Sequence, residues 1–77
     1  MSIKLPENLT GRAVSFMRLA NGGHMQCYRN EEYKISIAKV KENRDTPWKN
    51  VLKLDALPGK EFSSFQEMKA YIKEHNL

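Results

Sequence analysis

The strongest periodicity lies near the end of the chain. From Phe65 to His75, a turn of 100° per residue gathers Phe65, Met68, Tyr71, Ile72 and His75 on one stripe roughly 120° wide. Gln66, Glu67, Lys69, Lys73 and Glu74 occupy the rest of the circumference, with Ala70 a tolerated exception. This is the pattern of a helix packed by one face. Ser64 followed by Glu67 fits a capping box, in which the hydroxyl accepts from a free first-turn amide and the carboxylate reaches back.

Upstream, the pattern changes to simple alternation. Tyr33, Ile35 and Ile37 fall on one side of the run Tyr33 to Lys41, with Lys34, Ser36 and Ala38 on the other. The run Trp48 to Asp55 sets Leu52 and Leu54 opposite Lys49, Lys53 and Asp55. Asp45-Thr46-Pro47 predicts a turn between the two runs, and Pro58-Gly59 suits the centre of a type II turn after the second. A shorter run, His24 to Arg29, comes first and is set off by Asn30-Glu31-Glu32. The predicted fold class is α+β, a three-stranded antiparallel β-meander followed by a C-terminal helix, in a single domain over 1–77.

Leu9 to Ala20 fits two patterns. As a strand neither face is clean, since Arg18 falls with Val14 and Phe16, and Ser15 with Met17 and Leu19. As a helix, Leu9, Ala13, Phe16, Met17 and Ala20 share a stripe about 100° wide, with Val14 and Leu19 off it. Gly11 costs that helix about 1 kcal/mol. Asn21-Gly22-Gly23 then serves either as a helix C-terminal cap or as a hairpin turn into His24–Arg29. The helical reading is preferred and gives the order αβββα; the alternative is a fourth strand.

Composition narrows the class. Seventy-seven residues, 40% apolar, make one small core and leave no room for a second. No run approaches the roughly 18 apolar residues of a membrane span, so no membrane partner is expected. Met1 to Pro6 shows no apolar stretch with a small-residue cleavage site, which argues against a secretory signal. One cysteine, Cys27, forms no internal disulfide and fits a cytoplasmic setting.

Candidate chemistry is sparse. If His24–Arg29 is a strand, His24 and Cys27 point to opposite faces, so a Cys–His dyad is rejected and Cys27 joins Met25 as a structural side chain. Two histidines and one cysteine without zinc-ligand spacing supply no structural metal site. His75 sits on the apolar helix stripe, where it covers the core edge near the helix C-terminus. The acids fall mostly in loops or on the solvated helix face; Asp55 faces lysines on a strand and suits an ion pair. Asn21-Gly22-Gly23-His24 lacks the Lys and Ser/Thr of a phosphate-binding loop. No enzyme activity and no cofactor are expected.

Charge is more informative. Residues 33–53 hold six cations against two acids, a net +4 equal to that of the whole chain, while residues 61–77 hold two against three. Alternation places Lys34, Lys49 and Lys53 opposite the apolar strand face, which predicts a basic exposed surface with Tyr28 and Val51 on it. Lysine on exposed strands also serves simply to block edge pairing.

With residues 9–20 helical, the element order resembles that of double-stranded-RNA-binding domains over nearly the whole chain. That family contacts RNA through a His-bearing loop between the first two strands and a lysine cluster opening the last helix. Here the loop reads Asn30-Glu31-Glu32 and the helix opens Ser63-Ser64-Phe65-Gln66-Glu67, so no contact residue transfers. The expectation is a non-enzymatic regulator or inhibitor that docks on a protein or a protein–nucleic-acid complex, through Tyr28, Lys34, Trp48, Lys49 and Lys53. The alternative is direct nucleic-acid binding by Lys34, Lys49 and Lys53 on the phosphate backbone. A homodimer through an uncovered sheet face or edge strand is left open.

Overall fold

The computed structural model describes residues 3–77. Of the N-terminal stretch read for a secretory signal, Met1 and Ser2 lie outside the described residues. Five strands form one antiparallel sheet in sequence order: β1 (Arg12–Arg18), β2 (His24–Asn30), β3 (Ile35–Lys41), β4 (Lys49–Leu54) and β5 (Glu61–Phe62). A single helix follows, α1 (Phe65–Glu74). The expected meander is β2–β3–β4 and the expected terminal helix is α1. Residues 12–18 adopt the fourth-strand alternative and not the helix, so the conditional likeness in element order to double-stranded-RNA-binding domains does not apply.

β1 hid its period for a local reason. Its register with β2 shifts between Ala13 and Ser15, a bulge that inserts one residue and breaks strict alternation. Pairing then sets Ala13 against Tyr28 and Phe16 against Gln26, while Ser15 and Met17 face Cys27 and Met25 on the other side. All seven residues are exposed, so neither side of this edge strand is selected for apolar content. The connection to β2 is the hairpin-type turn read at Asn21-Gly22, both in the left-handed region with φ of 59° and 78°.

The core occupies one half of one sheet face. Ile35 and Ile37 of β3, Leu52 and Leu54 of β4, and Phe62 of β5 are buried beneath Met68 and Ile72 of α1. The helix start closes as a capping box displaced by one residue. Ser64 Oγ accepts from the Glu67 amide at 3.1 Å, but the Glu67 carboxylate accepts from the amide and hydroxyl of Ser63. Pro58-Gly59 forms the turn into β5, with Gly59 at φ 83° and the Lys60 amide donating to the Leu57 carbonyl at 3.2 Å.

Gly23 is required for a different reason. Its backbone is extended, but a methyl at its Cα would fall under 3.0 Å from the Lys41 and Glu42 carbonyl oxygens, where β2 opens beside the end of β3. Gly23→Ala is therefore expected to destabilise more than Gly59→Ala, whose methyl meets no atom and whose cost is the left-handed backbone alone, about 1–2 kcal/mol. Leu52→Ala and Met68→Ala are each expected to cost about 2–5 kcal/mol. Urea unfolding midpoints at constant slope check this order.

Candidate functional site

The register distributes the five sequence-predicted residues over three places. Lys49 and Lys53 lie on the face turned away from α1, opposite Leu52 and Leu54 as alternation requires. Their charge is not free: Lys49 Nζ is 2.9 Å from Glu42 Oε1, and Lys53 Nζ is 3.4 Å from Glu61 Oε2. Lys34 precedes β3 in a tight turn with φ 57°, and lines a cavity of about 740 Å³ with Glu32, Leu57 and Leu77 instead of joining them. Tyr28 lies on the opposite face, across from Ile37 and packed against the core edge. The expected grouping of Tyr28 with Lys49 and Lys53 is thus corrected, because Tyr28 and Ile37 are direct cross-strand partners and share a face. Val51 does sit with the lysines.

That face also carries an Arg29 clamp. Its guanidinium donates to both Asp55 oxygens at 2.9 and 2.6 Å, to Ser36 Oγ at 2.7 Å and to Glu31 Oε1 at 3.0 Å. Asp55 therefore pairs with an arginine of β2 and not with the lysines of its own strand. Three of its four cations are paired with acids and the fourth, Arg12, stands beside Arg29, so the face expected to be basic is apolar in the middle and largely ion-paired around its margin.

The unpaired charge collects elsewhere. α1 covers the sheet over Ile35, Ile37, Leu52 and Leu54, and the same face continues past it. Along β3 the buried Ile35 and Ile37 give way to Lys39 and Lys41, and along β4 Leu54 and Leu52 give way to Asn50, with Trp48 just before the strand. On β2 the same face holds Tyr28, Gln26 and His24, and on β1 it holds Phe16 and Arg18. Phe16 is 59% and Trp48 46% exposed. Their rings flank His24 in a row across the strands: Phe16 to His24 is 5.7 Å between centroids, and His24 to Trp48 is 6.2 Å at 20°. Lys39 Nζ stands 5.7 Å from the centre of the Tyr28 ring, and the Tyr28 hydroxyl donates to Gln26 Oε1 at 3.0 Å. Every charged position that the register places on this half of the face is a cation: Arg18, Lys39 and Lys41.

Of this group only Tyr28 and Trp48 are among the binding residues expected from the sequence, and on different grounds. Phe16 was missed because its segment read as a helix. Lys39 and Lys41 were legible: they follow Ile35 and Ile37 at alternating positions, so the change from isoleucine to lysine marks where the helix cover stops.

Among the described residues, no group of three or more His, Cys, Asp or Glu is placed to hold a metal ion. His24 and Cys27 fall on opposite faces of β2, three positions apart in regular register. Among the described residues no helix is long and apolar enough to cross a membrane. No family model matches the chain, and no match is found for it among curated proteins or solved structures.

The ion pairs set an acid limit on stability. Hydrogen bonds from Arg29 hold the Asp55 carboxyl below its ordinary range, against an opposing desolvation. Lys49 and Ser63 do the same for Glu42 and Glu67. A carboxyl depressed in the fold contributes stability that is present above its unfolded value and lost as pH falls through the folded one. Unfolding midpoints are expected to be level above about pH 5 and to fall below it. Asp55→Asn is expected to lower the neutral-pH midpoint and to shrink the acid-side fall, as read by urea melts from pH 7 down to about pH 3.

Proposed function

We propose that this chain binds single-stranded nucleic acid on the part of the sheet that α1 leaves open. The observation that carries the reading is the row Phe16–His24–Trp48, exposed at both ends and set among Arg18, Lys39 and Lys41. Unpaired bases stack on aromatic rings whatever their sequence, while cations beside the rings meet the phosphates. A duplex keeps its bases stacked on each other, so a row of rings on a sheet favours a single strand. Gln26 and Asn50 lie on the same half and offer amide groups to base edges, which gives modest base preference over a mainly electrostatic affinity.

This reading keeps the nucleic-acid alternative drawn from the sequence and moves its site from Lys34, Lys49 and Lys53 to the aromatic half. Docking as a regulator on a protein–nucleic-acid complex fits the same row, because an exposed strand in such a complex is a ligand of the same chemistry. No reaction is assigned to the chain. A reducing, cytoplasmic setting suits its single thiol.

Fluorescence anisotropy with labelled single strands and duplexes of the same sequence, at about 50 and 200 mM salt, tests the reading. Single strands are expected to bind more tightly, with a log–log salt slope near −2 for about three phosphate contacts. Trp48→Ala is expected to weaken binding by about 1–3 kcal/mol. Lys39→Glu with Lys41→Glu is expected to weaken it further and flatten the salt slope. Lys49→Glu with Lys53→Glu, on the other face, is expected to leave it unchanged. Binding that survives Trp48→Ala and is lost with the Lys49 and Lys53 pair would overturn the placement.

A further inference from the structure

We propose that the sheet face turned away from α1 is a self-association surface, on which a second copy of this chain packs sheet against sheet. The proposal is independent of the nucleic-acid site, which lies on the other face.

The register arranges this face in rows across the strands. Ser15, Cys27, Ala38 and Val51 form one row of short side chains. Met17, Met25 and Val40 form the next, in which the two methionines stand above Ser15 and Cys27. Val14, unpaired at the bulge, stands on the other side of the short row, towards Arg29, and is 55% exposed; Met17 is 56% exposed. A shallow trough of about 450 Å³ runs over this apolar area. A trough beside a ridge is complementary to itself: a two-fold axis lying between the rows drops each copy's ridge into the other's trough. The contact is then isologous, as closed dimers require, and two twisted sheets stack in the aligned manner of a β-sandwich.

Charge selects the occupant. The chain carries +4, yet on this face Arg29, Lys49 and Lys53 are each paired with an acid of the same chain. With Arg12 beside Arg29, its four cations stand against the four acids Glu31, Glu42, Asp55 and Glu61, so the face is neutral overall: a polyanion or an acidic protein finds no net attraction here, and a second copy meets no net repulsion. The exposed edge of β1 is the competing surface. The bulge between Ala13 and Ser15 interrupts that edge and breaks its alternation, a device that disfavours strand-to-strand pairing.

Sedimentation velocity on the full chain from about 5 to 200 µM tests the proposal. The expected result is a dimer, twice the 8.9 kDa chain mass, over that range. Val40→Glu with Val51→Glu is expected to return it to monomer with an unchanged far-ultraviolet circular dichroism spectrum. A second readout needs no variant. Cys27 is the only cysteine and lies in the central row, so a second copy is expected to cover it and to slow its reaction with a maleimide in the dimer relative to the chain diluted to monomer. A monomer throughout the range, a dimer that persists in the folded Val40→Glu, Val51→Glu variant, or a Cys27 that reacts as fast in the dimer as in the monomer would each overturn the proposal.

Discussion

α1 has ten residues, about 15 Å of helix at 1.5 Å per residue. The molecule it belongs to extends 43 Å along its longest axis. A helix of that length covers the Ile35, Ile37, Leu52, Leu54 and Phe62 half of one sheet face and nothing beyond it. Most of the other features follow from this shortfall. Among the described residues the core is a seven-residue cluster at one end of the sheet, nothing is layered over either side of β1, and the reverse face has no cover. Large apolar side chains at Val14, Phe16, Met17 and Trp48 remain in solvent as a result. Exposed apolar area concentrated on two patches, in a chain this small, is what interaction surfaces look like.

The boundary of helix cover also explains which parts of the fold were legible in the sequence. Where a strand is buried on one side, its alternation is strict, and the β3 and β4 readings match the structure within two residues at each end. The helix, with Met68 and Ile72 buried and Glu67 at its cap, was equally clear. Arg12–Arg18 was not, because a bulge interrupts its period and no burial enforces one. Losing that strand also lost Phe16, and with it the aromatic row. The position of Trp48 at the open end of β4 follows from its spacing to Leu52 and Leu54, but only once the helix is known to stop there.

Charge was counted correctly and assigned to the wrong surface. Lysines opposite a buried face were expected to make that side basic. In the fold, acids distant in sequence reach the same side: Glu42, Asp55 and Glu61 arrive from loops and from β5 to meet Lys49, Arg29 and Lys53. Pairing of this kind depends on register between strands, which a single strand's pattern does not carry. Arg18, Lys39 and Lys41, in no ion pair among the described residues, lie beside the aromatic row, so a phosphate-bearing ligand and its stacked bases are drawn to one place.

Trp48 is the only tryptophan of the chain and sits at one end of that row, so its emission reports on the surface directly. The decisive measurement is its fluorescence during titration with a short single-stranded oligonucleotide and with the matching duplex. Saturable quenching by the single strand, reversed by added salt and weak with duplex, is the expected result. An unchanged emission while an independent assay shows the strand bound, or no binding at low salt, would contradict a stacking surface on the open half of the sheet.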